Sequence, residues 1–156
     1  MTRRAQFGMA MFLVSESVFF ALLILAFWYF RQRANLNFAA GAIDTGLLLA
    51  SALSVWRAAD GSRLWVTVTM VLGAAFLIGQ SDQYVHLIRG GVTISAGLFG
   101  TTFFTLTGMH GLQVLAGLIA LAVVPRATIR AVALYWQFLA AVWVLIFLSA
   151  YVWGAA

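Results

Sequence analysis

The sequence predicts an all-α integral membrane protein of five transmembrane helices. Three observations predict it. Hydrophobic residues make up 64% of the chain and charged residues 8%, against roughly 25% charged in a soluble domain. A core built from 156 residues cannot hide that much apolar surface from water, so lipid must solvate it. The apolar residues also gather into five long runs, and a bilayer takes roughly 20 helical residues to cross. Within the runs no apolar–polar alternation appears, so helices rather than a closed barrel must satisfy the backbone inside lipid.

The first span is predicted over 7–30. Arg3 and Arg4 precede it, as in a secretory or twin-arginine signal, but the run is too long for a signal core, contains Glu16, and is followed by no small-x-small cleavage site. It therefore reads as a retained helix. The second span, 43–56, is the shortest, and its flanks at 39–42 and 57–59 can extend it. "ADGSR" at 59–63 is a turn with Asp-Gly as its signal. The third span covers 64–87 and the fourth 95–124, ending at Pro125, the only proline. The fifth covers 131–153. The longest connection, 31–42, leaves no room for a soluble domain, so residues 1–156 form a single membrane domain.

The net charge of +5 comes from nine arginines, opposed by Glu16, Asp44, Asp60 and Asp82. The arginines stand singly between apolar runs instead of clustering on a basic face, so no nucleic-acid partner is expected. They suit anchorage at lipid phosphates. Arg3, Arg4, Arg57, Arg63, Arg126 and Arg130 fall on the N-terminal side of the five spans; Arg31, Arg33 and Arg89 fall on the other. The excess places the N-terminus in the cytoplasm and the C-terminus on the outer, periplasmic side of a cell inner membrane. Tyr151 and Trp153 would then belong to the outer aromatic belt.

The chain lacks cysteine, which excludes disulfides, thiolate metal sites, iron–sulfur clusters and thioether-bound haem. His86 and His110 are the only histidines, too few for a multi-histidine metal centre. Phosphate loops, serine-nucleophile motifs, voltage-sensing arginine helices and paired broken helices are likewise missing from the sequence.

The polar residues inside the spans carry the functional question. A charge at mid-bilayer costs about 2.5–3.5 kcal/mol on insertion scales, and Glu16 lies near the middle of the first span, between Ser15 and Ser17. It can handle protons or bind a partner, or it can serve as a helix-to-helix hydrogen bond. In the third span Gln80, Gln83 and Tyr84 share a helix face, while Asp82 and His86 lie four apart near the outer surface, where a pair is worth little. The fourth span carries a stripe of Gly97, Thr101 and Thr105, suited to close helix contact. Gly108 and Gly111 flank His110 and would bring a neighbouring helix within reach of its ring; Gln113 shares its face. Gln137 sits beside Trp136 in the fifth span. For His110, packing with one hydrogen bond competes with a ligand or proton-relay role.

Taken together, five segments resemble subunit III of the haem–copper respiratory oxidases. "FGMAMFLVSESVFF" resembles that family's helix with a serine–glutamate pair before phenylalanines. "DTGLLLASALSV" resembles its next helix, and "AFLIGQSDQY" a segment ending in glutamine, two residues, an acid position and tyrosine. "GLFGTTFFTLTGMHGLQV" is the strongest match, and "YWQFLAAVWVLIFLSAYVWG" resembles the terminal helix. The matches fall in order along most of the chain and correspond to the later five of the family's seven helices. Gln83 stands where the family usually has glutamate, Gln113 where it has a second histidine, and Gln137 and Ala140 where it has histidine and aspartate. Glu16 and His110 keep the family's residues.

The resemblance implies a non-catalytic accessory subunit of a haem–copper terminal oxidase in aerobic respiration. Such a subunit packs against catalytic subunit I and other oxidase subunits, holds phospholipid and supports proton uptake. Haem and copper are expected in the partner, with no cofactor in this chain. Glu16, His110, Gln80, Gln83, Gln113 and Gln137 are the expected polar network, with Glu16 and His110 approaching each other; Arg126 and Arg130 are expected to bind lipid headgroups. The alternatives are an accessory subunit of a nitric oxide reductase and, from another class, a small proton channel or transporter built on Glu16 and His110.

Overall fold

A computed structural model describes residues 3–30, 36–58, 62–95, 97–123, 125 and 128–153, with the side chains of 3–6 left undescribed. It contains five helices long and apolar enough to cross a membrane. They are α1 (Arg3–Phe30), α2 (Phe38–Ala58), α3 (Arg63–Arg89), α4 (Leu98–Val123) and α5 (Ile129–Phe147), the last widening into a π-helical turn over Leu148–Val152.

Local chemistry sets the boundaries. α2 begins five residues before the apolar run because Asn37 caps it: its Oδ1 accepts from the Ala40 N–H at 3.1 Å and its carbonyl from the Gly41 N–H at 3.0 Å. This places Asp44 well inside the helix instead of at its edge. α3 ends at Gly90 and Gly91, the latter with φ of +83°, a backbone state that glycine adopts at little steric cost. α4 starts at Leu98, later than the apolar run, because Gly97 has φ of +151° and its carbonyl accepts the Thr101 N–H. α4 stops before Pro125, as expected.

α5 is the most enclosed helix and α1 the least. α2 and α3 pack as an antiparallel hairpin, tied by Ser54 and Thr69 hydroxyls 2.7 Å apart and by Arg57 lying 4.9 Å over the Trp65 ring. α5 then closes on α2, α4 and α1. Its Trp136, fully buried, donates from Nε1 to Ser51 Oγ of α2 at 2.9 Å. The same indole fits between two glycines: a Cβ on Gly73 of α3 or on Gly117 of α4 would stand 2.8 Å from it. One side chain thus holds four helices. Trp143 follows two turns later, donating to Thr45 of α2 at 3.0 Å and meeting Phe76 of α3 edge-on at 4.7 Å.

Two expectations are corrected. Gly97, Thr101 and Thr105 face outward, and Thr101 bonds back to the carbonyls of Ile94 and Gly97; the glycines that admit the Trp136 ring are Gly73 and Gly117. Tyr151 is buried and not part of an outer belt, whereas Trp153 is exposed.

Gly117→Val should push the Trp136 ring off Ser51 and lower stability by about 1–3 kcal/mol. Gly46→Ala, where an added Cβ meets nothing within 4 Å, should be close to neutral. Thermal unfolding of the detergent-solubilised protein, followed by tryptophan fluorescence, compares the two.

Candidate functional site

The six polar residues singled out from the sequence fall in four places, Glu16 with Gln113, His110, Gln137, and Gln80 with Gln83, with no hydrogen bond joining one place to another among the described residues. At mid-depth of α1, Glu16 accepts a hydrogen bond from Gln113 Nε2 of α4. The Gln113 carbonyl in turn accepts from Tyr135 Oη of α5 at 3.1 Å, so α1, α4 and α5 meet there. Gln113 Oε1 is buried and unpartnered. Glu16 is only half-buried, because α1 presents most of its circumference outward.

His110, one turn before Gln113, does not bond Glu16. It is fully buried, and its Nε2 lies 2.9 Å from the Leu139 carbonyl of α5, where it acts as the donor. Its Nδ1 has no partner. Phe20, Phe76 and Trp143 surround the ring with centroids 6.2, 5.8 and 5.1 Å away. Gly108 and Gly111 do let α3 lie alongside, with Tyr84 Oη and Leu77 as the nearest atoms to an added Cβ. The partner of the imidazole nonetheless comes from α5. Among the described residues the Leu139 carbonyl is the ring's one hydrogen-bond partner, and aromatic side chains pack around the rest of it.

Gln137 donates to the Ala52 carbonyl of α2 at 2.6 Å, a third link from α5 to α2 after Trp136 and Trp143. Gln83 belongs to a different cluster, at the end of the bundle where α2 begins and α3 and α5 finish. Its Nε2 donates to Asp44 Oδ2 at 2.6 Å, and its Oε1 accepts from Tyr151 Oη at 2.5 Å. Asp44 is 3% exposed. Gln80, 4% exposed, faces the Tyr151 hydroxyl but neither of its amide atoms has hydrogen-bond geometry with a partner. Tyr84 Oη and Thr107 Oγ1 lie 2.7 Å apart, and Thr107 passes the chain to the Phe103 carbonyl. Asp82 and His86 are exposed at a cleft of about 40 Å³ beside Gln83. No group of three acidic, histidine or cysteine side chains forms a metal site among the described residues.

Arg130 is exposed near the start of α5; Arg126 lies outside the described residues.

The family model for cytochrome c oxidase subunit III matches residues 42–155. This chain belongs to the cytochrome c oxidase subunit III family. Relatives extend the match toward the N-terminus. The chain is 34% identical to cytochrome c oxidase subunit 3 of Corynebacterium diphtheriae, across 92% of this chain and 85% of that protein. It is 30% identical to cytochrome c oxidase subunit 3 of Sus scrofa, across 96% and 70%. Against cytochrome bo(3) ubiquinol oxidase subunit 3 of Pseudomonas aeruginosa it is 35% identical, across 72% and 64%. Family membership and five spanning helices together make this a multi-pass membrane protein.

The Gln83 amide stands beside a buried acid, the Asp44 carboxyl from α2. Asp44 was not singled out from the sequence, since the apolar run placed it at the very edge of its helix. Asn37 was the available signal: as a cap it moves the helix start back and Asp44 inward.

The Glu16–Gln113 bond yields a direct test. Glu16→Leu and Gln113→Leu should each destabilise the chain by about 1 kcal/mol. The double variant should cost less than the sum, by a coupling of about 0.6–1.7 kcal/mol, read from denaturation midpoints in detergent. Glu16→Leu with His110→Phe should instead be additive.

Proposed function

We infer that this chain is a non-catalytic accessory subunit of a haem–copper terminal oxidase. The observation that carries the reading is the family match over 42–155 together with relatives named as oxidase subunits along more than nine-tenths of the chain. The donor set agrees with it. Haem and copper need several free imidazoles; here His110 Nε2 is engaged by the Leu139 carbonyl and His86 stands at the surface. The redox centres belong to a catalytic subunit I, and this chain lends that subunit shape.

Its exterior suits the role. Phe7, Met11, Val14, Val18, Leu22 and Leu25 leave α1 with an uncovered apolar face, suited to lipid tails and to the helices of neighbouring oxidase subunits. Arg126 and Arg130 hold anionic headgroups on the cytoplasmic side, and phospholipid is the chain's ordinary ligand. The arginine excess on the N-terminal side sets the orientation, N-terminus in the cytoplasm and C-terminus outside, in the inner membrane. By keeping subunit I in shape, the chain sustains proton uptake over repeated turnovers.

A tagged copy solubilised in mild detergent should bring down a haem-bearing partner, seen as a reduced-minus-oxidised absorbance difference. A strain lacking the chain should start oxygen consumption at a near-normal rate and then lose it faster during sustained turnover. Recovery of the chain alone, with proton flux through it in proteoliposomes, would reject the reading in favour of a channel.

A further inference from the structure

The cluster around Asp44 is not used by the subunit role, and its chemistry is unbalanced as it stands. The Asp44 carboxylate accepts one hydrogen bond, from Gln83. The charge that acts on it from nearby is a second acid, Asp82, and no basic side chain offsets it among the described residues. Gly79 lies so close that a Cβ there would collide with the carboxylate oxygen. This closeness keeps Asp44 pressed against α3 beside Gln80. An uncompensated carboxylate in so apolar a bundle is costly.

Three features supply what a small cation needs. Oxygen donors converge: Gln83 bridges Asp44 and Tyr151, fixing both within one amide of each other. The Tyr151 hydroxyl spends its proton on Gln83, which leaves its lone pairs free. Gln80 is buried beside that hydroxyl, and both its amide nitrogen and its amide oxygen lack a hydrogen-bond partner. A cleft lies next to the cluster: it is lined by Asn37, Ala40, Asp82, Gln83 and His86, Gln83 being its link to Asp44 and Tyr151, and its volume of about 40 Å³ exceeds the roughly 10–15 Å³ that one water needs. Carboxylate, amide carbonyl and hydroxyl oxygens suit hard cations. The single buried negative charge matches one positive charge, and the lack of a third acidic or histidine ligand among the described residues disfavours a divalent ion.

We propose that Asp44, Gln80 and Tyr151 form an internal site for one alkali cation, sodium or potassium, entered through the cleft beside Gln83. The bound ion ties α2, α3 and the π-helical end of α5 together. Asp82 at the mouth favours entry of cations over anions. The site stands on this geometry alone and does not depend on the chain being an oxidase subunit.

The test uses the full chain in the detergent-solubilised assembly in which it is isolated. Ionic strength is held constant while N-methylglucamine is replaced by sodium or potassium. The thermal midpoint should rise saturably, by roughly 3–6 °C at full occupancy. Asp44→Asn should abolish the rise, and Asp82→Asn should leave it saturable. Gln80→Leu, which removes a neutral donor, should raise the half-saturating concentration about tenfold or more. Should Asp44→Asn not assemble, Gln80→Leu decides, and an unchanged half-saturation overturns the proposal. It is equally overturned by a midpoint that ignores both cations, including one that follows pH alone, and by a response that persists in Asp44→Asn.

Discussion

Trp136 can be buried at the centre of this bundle because two helices offer it glycine. Its indole lies against Gly73 of α3 and Gly117 of α4, and its N–H reaches Ser51 of α2. In water the hydrophobic effect would bring helices together almost regardless of such detail. Among lipid tails it does not, and association rests on close packing and on hydrogen bonds between helices. A large flat ring in glycine-lined seats provides the first, and its single N–H the second. The enclosure of α5, and with it the order of the other helices around it, depends on this seat.

The remaining polar side chains follow the same logic. α5 projects Trp136, Gln137, Trp143 and Tyr151 toward α2 and α3, and each finds an acceptor there. His110 reverses the direction, reaching from α4 to a carbonyl of α5. Glu16 ties the otherwise loosely held α1 to α4. A polar group left facing hydrocarbon is costly, so pairing these groups selects one arrangement over others with similar apolar contact. These bonds are spread along the bundle, and no hydrogen bond among the described residues joins the Glu16–Gln113 pair, His110, Gln137 and the Gln83 cluster to one another.

The outward-facing side of α1 completes the physical account of a subunit. A helix so exposed and so apolar is stable only in lipid or against other helices. Membership of the subunit III family agrees with a chain that presents such a surface to lipid and to neighbouring helices.

Five spans, their order, the helix stop before Pro125 and the family were legible in the amino-acid string, because hydropathy and motif order are local properties. Glu16 and His110 were legible as intramembrane polar residues for the same reason. Their partners were not. Glu16 meets Gln113 across 97 residues and Gln83 meets Asp44 across 39, and helical rotation decides which of several candidates faces which. The small-residue stripe at Gly97, Thr101 and Thr105 had the spacing of a packing face, yet it points outward; Gly73 and Gly117, without any such stripe, became the contact because a tryptophan from another helix needed the space. Sequence alone determined that the chain must lie in lipid as helices, since composition fixes the solvent. Only the tertiary structure decided which polar groups pair, since that depends on the mutual rotation and depth of helices far apart in the chain.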